Sequence, residues 1–208
     1  MKLTTITQLT LDGVTQGNGG TSEEDRKNGF ERGGWALGAG DESTRDHIAA
    51  TYQRADAFLL GRRTYDLFLE FWGTVEELRA HPVGVALNAK PKYVASRTIT
   101  NPEWANTTVL GDDLLGDNLL GAITELKASG DGELQVHGSS QLIQWLLENG
   151  LVDQMELMII PVILGQGARL FPTSGPDIAM KLVDSRSDSK GVMIQTYQTV
   201  GRPQYPAN

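Results

Sequence analysis

The sequence contains no cysteine. This absence excludes disulfide frameworks, thiol nucleophiles and thiolate zinc sites, and it is typical of a reducing compartment. Positive charge is also in deficit, since the formal net charge is −8, whereas binding to nucleic acid or to a membrane surface needs clustered positive charge. No apolar run approaches the ~20 residues of a membrane-spanning helix, and the first residues lack the apolar core of a signal peptide. We therefore expect a cytoplasmic protein without nucleic-acid or membrane partners.

Several catalytic signatures are absent as well. The three histidines, His47, His81 and His137, are scattered without the spacing of metal ligands, so we expect no metal site. The chain has no G-x-S-x-G nucleophile elbow, no P-loop lysine motif and no regular G-x-G-x-x-G sequence. Serine-hydrolase chemistry and P-loop nucleotide hydrolysis are therefore not indicated.

The order of apolar segments predicts a single α/β domain over residues 1–208, with a loosely held tail at 201–208. About eight strands are predicted, parallel in the middle of the sheet, and the last two form an antiparallel hairpin. Pro161 has to lie at a bulge or at the end of its strand, because proline cannot donate to a sheet. The predicted strands cover residues 2–11, 57–60, 92–95, 107–110, 133–137, 155–164, 179–186 and 191–199.

Five helices are predicted between these strands. Asp41 or Ser43 caps the first helix, Thr64 can cap the second, and Asp112 or Asp113 opens the fourth. Gly150 after the last helix is typical of a left-handed C-terminal glycine. The predicted helices cover residues 43–54, 64–71, 82–89, 112–130 and 141–149.

A glycine-rich polar stretch from Asp12 to about Asp41 shows little periodicity. A connection of this length in a compact domain is usually either a functional lid or a disordered segment. Phe30, Trp35 and Leu37 are apolar anchors that linkers rarely carry, which favours a lid.

Three strands run into turns that carry small or basic residues. In an open α/β sheet, the turns at the carboxyl ends of parallel strands gather at one edge, where ligands bind. A helix start stabilises a bound anion by only ~0.3–1 kcal/mol, and each turn alone could be an ordinary capped helix start. A ligand site is therefore indicated only if all three turns converge. Together they predict a ligand with several phosphates, for which a dinucleotide is the first candidate. The candidate cofactor-binding residues are Gly61, Arg62, Arg63, Thr64, Ser96, Arg97, Gly138, Ser139 and Ser140.

These turns belong to an ordered set of motifs that covers nearly the whole chain. The set resembles the dihydrofolate reductase-like superfamily, above all the reductase domain of bifunctional riboflavin-biosynthesis deaminase-reductases and its stand-alone relatives. That resemblance implies a three-layer α/β/α fold with a mixed, eight-stranded sheet, and NADPH as hydride donor. The motifs are LDG (11–13), ADA (55–57), GRRTY (61–65), PKYVASR (91–97), VHGS (136–139), PVILG (161–165) and RLF (169–171).

The resemblance also implies roles for individual residues. Arg62, Arg63 and Thr64 would meet the adenosine phosphate and the pyrophosphate, and Ser96 and Arg97 would flank the phosphate that distinguishes NADPH from NADH. The 138–140 turn would face the pyrophosphate or the nicotinamide ribose, and Asp12 and Gly13 would begin the mobile loop over the active site.

The substrate side departs from the family pattern. Dihydrofolate reductases carry a carboxylate on the first helix, for which Asp46 is the candidate here. The riboflavin-pathway enzymes have an Asp-x-Pro-Leu segment that is absent from residues 65–72, and the zinc site of the deaminase half could not exist without cysteine. The remaining catalytic candidates are Asp12 and Trp35, and the substrate-binding candidates are Trp35 and Arg169.

The leading hypothesis is an NADPH-dependent reductase that acts on a small conjugated or heteroaromatic substrate. The resemblance suggests 5-amino-6-(5-phosphoribosylamino)uracil, a riboflavin precursor, and a homodimer that uses the C-terminal hairpin as its contact. Two alternatives stay open: a non-catalytic NADPH- or nucleotide-binding module, and a phosphosugar-binding enzyme without a dinucleotide.

Overall fold

One mixed sheet of eight strands organises the chain in the computed structural model, which describes residues 1–111 and 117–206. The strand order is β4-β3-β2-β5-β1-β6-β8-β7. Strands β1 to β6 pair in parallel, whereas β8 pairs antiparallel with both β6 and β7. The predicted mixed sheet and its C-terminal antiparallel hairpin are therefore confirmed. The strands are β1 (Lys2–Thr10), β2 (Ala57–Gly61), β3 (Lys92–Ala95), β4 (Thr107–Leu110), β5 (Glu133–Val136), β6 (Gln154–Ile160), β7 (Ala179–Ser187) and β8 (Met193–Gly201).

Helices cover both faces of the sheet. Alternate side chains of β2 show this, because Phe58 and Leu60 pack in one apolar cluster with the second and fifth helices, whereas Leu59 packs in another with the sixth and seventh. The result is the expected three-layer α/β/α arrangement. The helices are α1 (Glu23–Lys27), α2 (Glu42–Arg54), α3 (Arg62–Phe68), α4 (Glu76–Arg79), α5 (Pro82–Ala89), α6 (Asp117–Ala128) and α7 (Ser140–Glu148), with a π-helical turn at Leu69–Gly73.

Several element boundaries differ from the predicted ones. The helix after β2 begins at Arg62, so Thr64 lies inside it and does not cap it. Asp41, not Ser43, caps α2 by accepting from the Thr44 amide. Strand β6 ends at Ile160, immediately before Pro161, in accord with the missing proline donor. The predicted start of the fourth helix at Asp112 or Asp113 lies outside the described residues.

Lys92 is a fully buried lysine at the start of β3. Its Nζ donates to the carbonyl oxygens of Leu87 (2.7 Å) and Lys90 (3.0 Å), and it lies 4.8 Å from the centre of the Trp104 ring. Burial lowers the pKa of the Lys92 amine to about 8. The amine ties the end of α5 to the sheet, since carbonyls at a helix C-terminus have no intrahelical partners.

No helix within residues 1–111 and 117–206 is long and apolar enough to cross a membrane.

Candidate functional site

The predicted turns meet at one edge of the sheet. In the parallel pairings Ala95 lies opposite Gly61, and Leu59 lies opposite Val136, so the carboxyl ends of β3, β2 and β5 are neighbours. The Gly61 amide donates to the Gly138 carbonyl at 3.1 Å. Turns that are up to 80 residues apart in the chain therefore form one surface, as the sequence predicted.

Two glycines make this close approach possible. A Cβ atom on Gly61 would lie 2.8 Å from the Ser139 Oγ and 3.1 Å from the Ser139 amide nitrogen. Gly138 has a φ of +126°, and a Cβ there would lie 3.0 Å from the Thr64 Oγ1. Real Cβ atoms rarely tolerate contacts as short as those at Gly61 and Gly138, and residues with a side chain also disfavour the positive φ of Gly138. Glycine is therefore required at both positions.

The two helices that begin at this edge have bare N-termini. Neither α3 nor α7 has a side-chain cap or an acidic residue in its first turn. By contrast, Ser22 and Asp41 cap α1 and α2, and both of those helices have acidic first turns. Backbone N–H groups at a helix start carry partial positive charge and suit an anion. The edge therefore has the donor set that a pyrophosphate requires.

Two exposed arginines belong to these turns: Arg62 is the first residue of α3, and Arg97 follows the end of β3. Arg62 forms a 3.4 Å ion pair with Asp66 one turn along α3, and both side chains are more than half exposed. Ser96 is buried, and its Oγ accepts from the amides of Thr98 (3.2 Å) and Ile99 (3.1 Å). Ser96 therefore shapes the turn. Arg97 is exposed, and Arg62 would have to exchange its exposed ion pair with Asp66 for a phosphate.

An open groove runs beside these arginines, between α3 and the loop after β3. Its volume is about 330 Å³. The lining is largely polar and comes from Tyr65, Asp66, Leu69, Thr98, Ile99, Thr100, Asn101, Pro102 and Glu103. The groove continues the surface along which a long ligand could lie.

Arg63 and Ser140 bond to the predicted lid. The Arg63 guanidinium donates to Asp25 Oδ1 at 2.7 Å and to Ser22 Oγ at 3.2 Å. The Ser140 hydroxyl lies 2.6 Å from the Thr15 hydroxyl. Both helix starts are therefore attached to residues 12–41, and Arg63 faces the lid instead of standing free for a ligand.

The predicted lid, residues 12–41, which we call the lid below, is a docked segment with one short helix, α1. Phe30 is buried against Val14 and Leu164, and the Trp35 indole donates to the Gln16 carbonyl at 2.8 Å. Leu37, by contrast, is 70% exposed and is not an anchor. Two of the three predicted apolar anchors therefore fix the lid.

Asp12 lies in a hydrogen-bonded corner between the ends of β1 and β6. Its carboxylate accepts from the Thr10 hydroxyl (2.6 Å) and from the amides of Gly165 (2.8 Å) and Leu164 (3.1 Å), and these bonds lower its pKa to about 2. Arg169, which is half exposed, pairs with it at 3.5 Å. Asp12 is thus ionised and fully bonded, which is the state of a structural carboxylate.

A small cavity of about 100 Å³ lies beneath the lid, between the carboxyl ends of β1 and β6 and the first turns of α2. Its polar residues are not among the predicted site residues. Gln8 shares the covered face of β1 with Ile6 and Thr10, so the two-residue period of the strand was a detectable signal. Asp46 lies on the exposed side of α2 and does not line the cavity. The lining residues are Gln8, Ala36, Gly38, Gly40, Thr44, Arg45, Ile48, Met158, Ile160 and Val192.

A buried ionic network attaches α2 to the sheet beside the cavity. Glu156 on β6 accepts from His47 Nε2 at 2.8 Å and pairs with Arg54 at 3.0 Å, and Arg54 also pairs with Glu133 at 3.0 Å. Although burial opposes it, the net effect of the His47 and Arg54 partners is a lowered Glu156 pKa. The network holds the cavity wall in place.

In the described ranges, no cluster of three or more histidine and acidic side chains could hold a metal ion.

The mixed sheet, the helices on its two faces and the glycine turns at one edge together define the dihydrofolate reductase-like fold class. Dihydrofolate reductase from Enterococcus faecalis, solved with NADP(H), superposes with a TM-score of 0.54 at 14% identity over 95% of this chain and 96% of that one. A protein of Shewanella sp. PV-4 that is named for riboflavin biosynthesis superposes with a TM-score of 0.71 at 22% identity, over 96% of this chain and 99% of that one.

The family follows from sequence. The RibD C-terminal domain family matches residues 1–194, and the chain belongs to it. The uncharacterized protein YyaP of Bacillus subtilis is 29% identical over 198 residues, covering 93% of this chain and 92% of YyaP. The predicted resemblance is therefore confirmed.

Proposed function

We propose that the protein is an NADPH-dependent reductase of a small conjugated or heteroaromatic compound. The observation that carries this proposal is the convergence of two uncapped helix starts and two exposed arginines at one sheet edge of an acidic protein. An enclosed cavity lies by the neighbouring strand ends, as a two-part site for cofactor and substrate requires. The NADP(H) bound to the E. faecalis reductase of the same fold supports the identity of the cofactor.

The residues present suit this cofactor. Gly61 and Gly138 let the backbone approach a ligand closely, and the first amides of α3 and α7 would hold the pyrophosphate. Arg62 and Arg97 would bind the phosphate that NADH lacks, because a guanidinium grips phosphate oxygens in pairs. NADPH, when bound, supplies a hydride and leaves as NADP⁺.

Among the residues that the structure describes, no carboxylic acid lines the cavity to donate the proton that accompanies the hydride. Asp12 is ionised at neutral pH, and Asp46 lies on the outer side of α2. Water or the substrate itself would supply the proton. The protein contributes mainly by positioning, which can lower a barrier by ~7–11 kcal/mol, so turnover does not require a side-chain acid. A riboflavin precursor remains the named candidate, carried by family membership.

The test compares cofactor affinities in arginine variants. We expect Arg62→Ala and Arg97→Ala each to weaken NADPH binding by roughly tenfold and NADH binding far less, because a charge-assisted hydrogen bond contributes ~1.5–3 kcal/mol. Arg79→Ala, an exposed arginine on α4, is the matched control. Isothermal titration calorimetry gives both constants, and an unchanged NADPH preference in both variants would remove this assignment.

A non-catalytic NADPH-binding module is the second candidate. The missing acid at the cavity favours it, since a binding module needs no proton donor. NADPH absorbance followed across pterin, flavin-precursor and quinone panels separates the two. Tight binding without any substrate-dependent loss of absorbance would favour the module.

A further inference from the structure

The cavity beneath the lid offers hydrogen-bond donors but no carboxylate. We propose that it selects a neutral, single-ring carbonyl compound, such as a quinone or cyclic enone, as the hydride acceptor. This inference rests on the proposed reductase function and names the substrate class of that site. Three properties of the cavity carry it: its size, the direction of its polar groups and the state of the nearby acids.

The size of the cavity suits one ring. Its volume is about 100 Å³, and Ile48, Met158, Ile160 and Val192 give it apolar walls. A larger apolar cavity of ~150 Å³ in another protein holds one benzene molecule, so this cavity has room for one small, unsubstituted ring at most. Residues of the docked lid close the remaining side, so a fused two-ring compound would have to displace the lid.

The polar groups around the cavity are mainly donors. Gln8 Oε1 accepts from Asn18 Nδ2 at 3.3 Å, which leaves the Gln8 amide hydrogens for a ligand. Arg45 adds a permanent positive charge, and one of its nitrogens lies 3.4 Å from the Gly40 carbonyl. A ring oxygen is therefore the complementary group, because a carbonyl only accepts.

The carboxylates beside the cavity are already bonded elsewhere. Glu156 pairs with His47 and Arg54, as described above. Asp188 Oδ2 accepts from the Asp41 amide (2.8 Å) and the Thr44 hydroxyl (2.9 Å), and its Oδ1 accepts from the amides of Lys190 and Val192. Asp41 in turn accepts from Ser43, Thr44 and Ser189. These bonds lower both pKa values, so neither acid is a proton donor at neutral pH. A protonated ring would find no partner carboxylate and would be repelled by Arg45.

The proposed reaction adds one hydride and one proton to the ring. The ring takes one hydride from NADPH at a carbon conjugated to the carbonyl and one proton from water. A quinone is thereby reduced by two electrons to a hydroquinone, an enone becomes a saturated ketone, and NADPH becomes NADP⁺. The side chains of the cavity hold the carbonyl oxygen, on which negative charge develops as hydride arrives.

The test uses calorimetry to measure the affinity of the protein for two single-ring probe compounds, without cofactor and at a pH of about 6. The probes are unsubstituted para-benzoquinone and protonated diaminopyrimidine, and no thiol adduct can form because the chain has no cysteine. The wild type should bind the quinone about tenfold more tightly than the protonated diaminopyrimidine. Gln8→Leu should lose roughly five- to tenfold in quinone affinity, because the amide donor is removed. Gln8→Glu should bind the protonated diaminopyrimidine more tightly than the quinone. Gln53→Glu, which places the same charge on the exposed side of α2, is the control and should change neither affinity.

Equal binding of both probes by the wild type, or unchanged quinone affinity in both Gln8 variants, would overturn the inference. If melting curves show that Gln8→Glu does not fold, Gln8→Leu decides alone. NADPH binding is measured separately. Quinone selection without NADPH binding would contradict only the proposed function, whereas NADPH binding with Gln8-independent quinone affinity would contradict only this inference.

Discussion

Arg63 donates to the carboxylate of Asp25 at 2.7 Å and so joins the first turn of α3 to the lid. Asp25 is buried, and it also accepts from Gln16 and twice from Ser22, which together hold its pKa well below the usual range. Gln16 in turn accepts from the Ala168 amide at 2.9 Å. One carboxylate thus connects the start of α3, the lid and the loop after β6.

Replacing Asp25 by asparagine should loosen the lid. The substitution removes the charge-assisted bonds, each of which contributes ~1.5–3 kcal/mol when buried and less where Arg63 meets solvent. We expect amides of residues 16–35 to exchange hydrogen roughly tenfold faster, measured by mass spectrometry. Glu24→Gln, an exposed neighbour in α1, should leave exchange unchanged. Equal protection in both variants would mean that the pair does not hold the lid.

The substitution Gly61→Ala should disturb the close contact between the end of β2 and the turn after β5. The Gly61 φ of −73° suits alanine, so the effect is steric: the new Cβ meets Ser139 at 2.8 Å. Overpacking of this kind usually destabilises by ~1–3 kcal/mol, and NADPH affinity should fall as well. Gly121→Ala is the opposite control, since that α6 glycine has no atom within 4 Å and the change should stabilise by ~0.5–1 kcal/mol. Urea titrations measure both, and a neutral Gly61→Ala would refute the close approach.

His137 should make the protein less stable in acid. Its ring stacks 4.0 Å from Tyr52, and burial lowers its pKa to about 3. Below the unfolded value of ~6.5 the unfolded chain binds a proton that the folded protein does not, so the free energy of unfolding falls as pH falls from about 6.5 to 3. At most, the loss is ~1.4 kcal/mol per pH unit.

Replacing His137 by phenylalanine should therefore reduce this slope between pH values of about 6 and 5, measured by urea unfolding at each pH. His81→Asn, at an exposed histidine, serves as the comparison. If the wild type and His137→Phe have parallel pH profiles, the histidine is not buried as described.

The C-terminal hairpin should mediate a homodimer. Strand β7 is the last strand of the sheet, and Leu182 and Val183 on it are about half exposed, which leaves an edge open to pairing. Light scattering should report a dimer that Val183→Lys weakens, whereas Leu67→Lys, equally apolar and exposed on α3, should not. A monomer at every concentration would contradict this expectation.

Local signals in the sequence predicted much of the fold. Asp41 and Gly150 marked helix ends, and Pro161 marked the end of β6. Such signals depend on residues a few positions apart, so they survive without knowledge of the tertiary structure. The π-helical turn at Leu69–Gly73 and the short helices α1 and α4 were missed, because none of them has the periodicity of a full helix.

The candidate site was predictable only in part. Gly61, Gly138 and Ser139 converge as expected, since parallel strands bring their turns to one edge. The partner of Arg63 was not foreseeable, because Asp25 lies 38 residues away in a segment without periodicity. The Glu156–Arg54 pair was missed for a similar reason, since it depends on how α2 is rotated over the sheet.

Lys92, the first residue of β3, offers a built-in reporter of motion between α5 and the sheet. Its amine is sealed beneath an indole and two carbonyl oxygens, whereas an amine-reactive label needs access to the free nitrogen. The labelling rate at this one lysine would therefore count openings of the α5–β3 corner. Exposed lysines, which react with the label without any opening, would provide the reference labelling rate.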